Sequence, residues 1–242
     1  MSASLRIENL HAAYGTVKVI HGISMEVGRG ESVVLLGTNG NGKSTVMKCI
    51  LGAVRPQAGR IIATIDGVEH DLAGMATEQI VDLGIVMVPE GRRLFPMLSI
   101  EDNLLLGASR QAARKSISRN LEFCYDAFPK LKERRHQAAG SLSGGEQQMV
   151  ALGRAVMQSP KMVIIDEPSV GLSPLFVGRT MEAILRLRKE FGLTVLMAEQ
   201  NFHQAVRIAD KGYVIVHGEI ALEASSQREL RDSEIIRDLY FG

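Results

Sequence analysis

Gly37-Thr38-Asn39-Gly40-Asn41-Gly42-Lys43-Ser44 stands between the buried-strand pattern of Ser32 to Leu36 and a stretch of helical spacing, Ser44 to Leu51, that stops at Gly52. The octet fits G-x-x-x-x-G-K-[ST] in its strand-loop-helix setting, which makes the fold α/β with the loop at the end of a sheet. Glycines let the backbone close tightly with several N–H groups pointing inward, and the positive end of the next helix faces the same point. Such a loop cradles phosphates: Gly37, Thr38, Asn39, Gly40, Asn41 and Gly42 supply backbone, Lys43 reaches the β- and γ-phosphates, and the Ser44 hydroxyl suits a Mg²⁺ ion. Thr45 completes the nucleotide-binding set expected for ATP.

Downstream, Met162-Val163-Ile164-Ile165-Asp166-Glu167 places two acids after four apolar residues, so a buried strand delivers carboxylates to the sheet end where phosphates sit. Asp166 is expected in the magnesium shell, and Glu167 is expected to orient or deprotonate the water that attacks the γ-phosphate. Loop and acids together point to hydrolysis rather than to binding alone.

Around these two motifs the chain reads as one domain of 242 residues. Leu5, Ile7 and Leu10, then Ile20, Ile23, Met25 and Val27, predict short half-buried strands of an antiparallel opening sheet. Ile85 to Val88, Met162 to Ile165, Thr194 to Ala198 and Tyr213 to Val216 predict buried strands, with a helix over about Leu175 to Glu190. Between them Asp102 to Leu106, Lys115 to Phe128 and Gly145 to Met157 predict three helices, so residues 90–159 are expected to form an inserted helical sub-domain and 1–89 with 160–242 the core. With 45% hydrophobic and 23% charged residues the chain is globular, and a net charge of +1 argues against binding nucleic acid through a whole-protein field. No apolar run approaches the roughly 18 residues of a membrane span, and Met1 to Asn9 lacks a signal peptide's apolar core, so a cytoplasmic location is expected. Cys49 and Cys124 lie far apart with no metal-ligand spacing, which reads as packed thiols.

Leu142-Ser143-Gly144-Gly145-Glu146-Gln147-Gln148 forms an S-x-x-E capping box whose paired glycines leave the first helical N–H groups uncovered. In order and position it resembles the signature of the ATP-binding cassette (ABC) ATPases, and the resemblance covers essentially the whole chain. It implies a P-loop cassette with a RecA-like parallel core, an antiparallel β sub-domain and the helical insertion. It further implies a head-to-tail dimer in which Ser143, Gly144, Gly145 and Glu146 of one subunit close on the γ-phosphate held by Lys43 of the other. Tyr14 matches the adenine-stacking aromatic, and Ser169 to Leu172 the subunit-contact loop.

Two positions depart from the general family pattern. Glu90, followed by Gly91-Arg92-Arg93-Leu94-Phe95, replaces the usual Gln, and Gln200, within Glu199-Gln200-Asn201, replaces the usual His. Both departures look like LivF-type ATPase subunits of branched-chain amino acid importers. By that resemblance Glu90 adds charge near the magnesium, Gln200 faces the γ-phosphate as an orienting group that cannot titrate, and the loop from Glu90 to Met97 contacts a permease. Read alone, Arg92 and Arg93 fit equally a solvated basic turn. The implied partners are a second ATPase subunit, identical or different, two integral membrane permeases and, indirectly, a substrate-binding protein, with the chain peripheral on the cytoplasmic face of the membrane. An importer of urea or short amides is the alternative within transporters, and a soluble ABC ATPase the alternative outside them.

Overall fold

The computed structural model describes residues 3–234 and 236. The chain opens with β1 (Ala3–Tyr14) and β2 (Val17–Val27), then β3 (Ser32–Leu36), α1 (Lys43–Ile50), β4 (Ala58–Ile65), β5 (Val68–Asp71), α2 (Thr77–Leu83) and β6 (Ile85–Val88). Helices α3 (Ile100–Leu106), α4 (Gln111–Arg114), α5 (Ile117–Ala127), α6 (Pro129–Glu133) and α7 (Gly144–Val156) follow. Then come β7 (Met162–Asp166), α8 (Pro174–Phe191), β8 (Thr194–Glu199), α9 (Phe202–Ile208), β9 (Lys211–Val216), β10 (Glu219–Ala224) and α10 (Gln227–Asp232).

A six-stranded sheet runs β10-β9-β3-β8-β7-β6, parallel except for β10, and an antiparallel sheet runs β2-β1-β4-β5. The central strands are continuous apolar runs because both faces are covered. Their period of two sorts side chains cleanly between two cores. Val34, Leu36, Val163, Ile165, Val195 and Met197 enter one cluster, which also holds Leu104 of α3, Val150 of α7 and Ile184 of α8. Val33, Leu35, Met162, Ile164 and Leu196 enter the other, with Met47 of α1 and Leu5 and Ile7 of β1. Each fully buried aliphatic side chain contributes about 1.5–3 kcal/mol. The helices between β6 and β7 therefore share their core with one face of the sheet.

Several elements differ from the expectation. The opening strands are long, at 12 and 11 residues, because a bulge at Asn9 (φ 47°) resets the alternation between Ile7 and Leu10 and lets one strand continue through the irregularity. The helix expected over Lys115 to Phe128 is Ile117–Ala127, followed by the short α6, because Pro129 suits a first-turn position and restarts the helix. Burial pushes the Cys49 thiol up to about 11 and the Cys124 thiol to about 12, as befits packed cysteines. No helix among the described residues is long and apolar enough to cross a membrane.

The loop between β6 and α3 is fastened down by one buried side chain. Asn103 Oδ1 accepts from the Phe95 amide at 2.9 Å, while its Nδ2 donates to the carbonyls of Phe95 and Ser99, each at 2.9 Å. Just beyond α3, Gly107 lies so close to α7 that a Cβ there would stand 2.2 Å from the Arg154 carbonyl.

Candidate active site

Parallel pairing levels the carboxyl ends of four adjacent strands. Leu36 pairs with Glu199, Asp166 with Ala198, and Val88 with Ile165, so the loops after β3, β6, β7 and β8 all leave the sheet at one edge. This edge is where open α/β sheets bind ligands.

Gly42 caps α1 with φ 101°, a left-handed conformation that L side chains rarely adopt, and an added Cβ would stand 2.6 Å from Ile20 Cδ1. No side chain caps this helix and no acid sits in its first turn, so its leading N–H groups face the loop uncovered. Asn41 ties the loop, donating from Nδ2 to Thr38 Oγ1 at 2.7 Å and accepting from the His217 amide at 2.8 Å. A cavity of about 250 Å³ opens here, lined by Asn39, Gly40, Lys43, Ser44, Glu90 and Glu167 among others. A more apolar cavity of about 460 Å³ between α6 and α8 lies away from the loop and the acids.

Lys43 is buried, with Nζ donating to the Gly37 carbonyl at 2.8 Å and the Thr38 carbonyl at 3.2 Å and pairing with Glu167 Oε1 at 3.0 Å. Glu167 is itself 9% exposed and has φ 45°, an uncommon conformation for a non-glycine residue that its surroundings must hold. Part of that hold is its amide, which donates to the Ala198 carbonyl at 3.0 Å. Beside it the Ser44 hydroxyl donates to Asp166 Oδ1 at 3.3 Å. Burial, with the charges of Glu167 and Glu90, holds the Asp166 carboxyl above the usual range despite the bond from Ser44. A buried carboxylate under that pressure is relieved by a cation. Ser44 and Asp166 offer the hard oxygen donors that suit Mg²⁺, which characteristically binds one or two protein groups together with substrate phosphates. No group of three or more His, Cys, Asp or Glu able to hold a metal alone occurs among the described residues.

The second glycine pair opens α7 differently. Ser143 caps it in extended conformation, its Oγ accepting from the Glu146 amide at 3.4 Å, while Glu146 Oε2 accepts from the Ser143 amide at 2.9 Å and hydroxyl at 2.8 Å. Arg134 Nη1 holds the other Glu146 oxygen at 2.8 Å. Burial pushes this carboxyl up, but the bonds from Ser143 and Arg134 outweigh it and hold it below the usual range. Gly145 has no room for a side chain, since a Cβ would stand 2.0 Å from the Phe176 ring. Arg92 lies across the same turn, its guanidinium nitrogens 3.2 and 3.3 Å from where a Gly144 Cβ would be and Nη2 donating to the Val170 carbonyl at 3.4 Å. Its own carbonyl accepts from Arg154 Nη2 at 3.1 Å.

The structure thus brings the Gly37 to Thr45 loop, Glu90, Asp166 and Glu167 together. Tyr14 ends β1 at 46% exposure with Lys48 Nζ 5.9 Å from its ring centre, outside the cavity lining. Gln200 and the Ser143 to Glu146 turn also stand outside that lining. Arg92 is half-buried against the turn at Gly144, whereas Arg93 is exposed, so the solvated-turn reading fits Arg93 and not Arg92. Sequence reasoning missed Arg134, Arg154 and the buried Glu199. Arg134 and Arg154 look like ordinary helical cations, whereas Glu199, an acid directly after four buried apolar residues, carries the signal that flagged Asp166.

The ABC transporter family profile matches residues 20–170. The chain is 40% identical to the high-affinity branched-chain amino acid transport ATP-binding protein BraG of Pseudomonas aeruginosa, over 98% of this chain and 99% of that one. It is 31% identical to the probable branched-chain amino acid transport ATP-binding protein LivF of Archaeoglobus fulgidus, over 98% of each. Among solved structures, the ADP conformation of an ATP-binding cassette of an ABC transporter superposes with a TM-score of 0.84 at 26% identity, covering 100% of this chain and 99% of that chain.

Proposed function

Since the chain belongs to the ABC transporter family and is its nucleotide-binding, ATP-hydrolysing subunit, we propose that it powers uptake of branched-chain amino acids. The substrate rests on BraG and LivF, whose names specify branched-chain amino acid transport and with which the chain aligns almost end to end. Its partners are two membrane permeases, a second ATPase subunit and, indirectly, a substrate-binding protein, and it works at the cytoplasmic face of the membrane. Residues 90–159 act as an inserted helical sub-domain within one cassette.

The observation that carries the site assignment is the buried Lys43–Glu167 pair at 3.0 Å beside the bare start of α1. ATP phosphates arriving at the loop take Lys43 as a partner and compete with Glu167 for it. Glu167, released from its cation, accepts a hydrogen bond from the attacking water and takes its proton as the water oxygen bonds to the γ-phosphorus. The bond from the γ-phosphorus to the bridging oxygen breaks, and ADP carries that electron pair. Ser44 and Asp166 would hold Mg²⁺, with Glu90 lining the same cavity. Mg²⁺, when bound, neutralises phosphate charge. Tyr14 stacks on the adenine, Gln200 orients the γ-phosphate or the water through its amide, and Ser143, Gly144, Gly145 and Glu146 close on the ATP of the facing subunit.

Glu167→Gln tests this reading. ATP affinity should hold within about threefold while turnover falls by about 10² to 10⁴, and ATP should drive the variant into a dimer seen by light scattering. Turnover at the wild-type rate would remove Glu167 from its role. Uptake of radiolabelled leucine by the complete transporter, set against urea, tests the substrate.

A further inference from the structure

Glu199 closes β8 and is 1% exposed, although no lysine or arginine pairs with it among the described residues. Carboxylates are almost never this buried without a cation, and burial, joined by the charge of Glu167, raises this carboxyl above the usual range. One oxygen does all the bonding. Oε1 accepts from the Ser169 hydroxyl at 2.8 Å and from the amides of Gln200 and Asn201, each at 3.0 Å, while Oε2 has no hydrogen-bond partner among the described residues.

These donors belong to two different segments, the loop after β7 and the turn after β8. Next to this node, the Ala198 carbonyl accepts from the Glu167 amide at 3.0 Å. Consecutive residues of β8 therefore grip Glu167 and Ser169, on either side of Pro168. Between those grips sits the backbone of Glu167 at φ 45°, a conformation that persists only when its surroundings over-determine it. On its other side the same oxygen holds the Gln200 amide. Glu199 itself pairs in register with Leu36 and does not line the cavity at the phosphate loop.

We propose that Glu199 is a positioning residue for hydrolysis, a single buried acceptor that fixes Glu167 and Gln200 relative to one another by tying their segments together. The proposal rests on the roles given to Glu167 and Gln200 above. A misplacement of about 1 Å costs on the order of 10² in rate, so a loosened node should slow turnover and leave nucleotide binding, which belongs to the loop after β3, nearly unchanged.

The test compares Glu199→Ala, Glu199→Gln and Ser169→Ala in the full-length chain, following ATP turnover, affinity for a fluorescent ATP analogue, and hydrogen exchange over 167–172 and 199–204. Glu199→Ala should lower kcat about 10- to 100-fold, hold nucleotide affinity within about threefold, and speed exchange in both segments together. Glu199→Gln, which keeps an acceptor oxygen facing the same donors, should stay within about threefold of wild type. Ser169→Ala should fall between them, because two backbone donors remain. The proposal is overturned by wild-type kcat in Glu199→Ala, by faster exchange in one segment only, or by Glu199→Gln as impaired as the alanine variant. Should Glu199→Ala fail to fold, Glu199→Gln at near-wild-type kcat together with a slowed Ser169→Ala supports the node, and an unimpaired Ser169→Ala overturns it. A wild-type chain that hydrolysed no ATP would break the roles of Glu167 and Gln200, while the exchange pattern would still decide whether the node exists.

Discussion

The phosphate loop and the Ser143 turn are both glycine-bearing helix starts, yet they handle the same electrostatic problem in opposite ways. Helix α1 begins at a left-handed Gly42 with no capping side chain and no acid in its first turn, whereas α7 begins with a full capping box and an acid at its third position. A helix N-terminus carries about half a positive charge. At α1 that charge is left for a ligand, with Lys43 beside it. At α7 it is already answered by Ser143 and Glu146, and Glu146 in turn by Arg134. The first start is open to an anion on its own account. The second offers an anion only the remaining backbone amides and a hydroxyl that must be shared with Glu146, which suits a surface that engages phosphate only when the facing subunit brings it.

The widest difference to break is the buried pair on the α1 side. Lys43→Ala leaves Glu167 in a largely buried site without its cation, so unfolding free energy should fall by about 3 kcal/mol, measured by urea denaturation without nucleotide. Adding Glu167→Gln should recover much of the loss, with a coupling of about 1–3 kcal/mol in the double-mutant cycle. Strictly additive effects would show that the pair contributes nothing to the resting fold.

Next in size is Gly145→Ala on the α7 side. A Cβ 2.0 Å from the Phe176 ring forces that ring or the helix start to move, at a cost of about 1–3 kcal/mol. Thermal melts should show the loss, and adding Phe176→Leu should restore part of it. An unchanged melting temperature would mean that the α7 start yields freely.

The smallest effect sharpens the contrast through pH. The folded Glu146 carboxyl lies below its ordinary value, so its stabilisation is complete above the ordinary glutamate range and fades as pH falls through that range toward the depressed value. Glu146→Gln should cost less than about 1 kcal/mol near pH 7 and nothing relative to wild type once the pH lies below the depressed value. A cost independent of pH would show that the carboxylate charge has no part in capping.

Much of this contrast is written in local sequence. Gly42-Lys43-Ser44 and Ser143-Gly144-Gly145-Glu146 are contiguous, and so are the apolar runs that bring Asp166 and Glu167 to the sheet edge. What joins them is not local. The Lys43–Glu167 pair spans about half of the chain, and no spacing rule links Arg92 to Gly144 or Glu199 to Ser169. The length of the opening strands was hidden by the bulge at Asn9, which breaks the alternation from which strands are read. Helices α2, α9 and α10 are short, at six or seven residues, too few turns for a periodic signal to stand out from its surroundings.

The clamp of Asn103 and the tight crossing at Gly107 have a mechanical consequence. Phe95 and Met97, at 53% and 88% exposure, lie on a loop stitched to α3, and the chain just beyond α3 rests against the α7 backbone with no side chain between. At that crossing stiffness is set by close backbone contact in an interior that compresses very little, while the loop itself is held to α3 by the buried Asn103 side chain. The geometry points to α3 as an arm between the exposed loop and the last turn of α7, with the Gly107 crossing as its fulcrum.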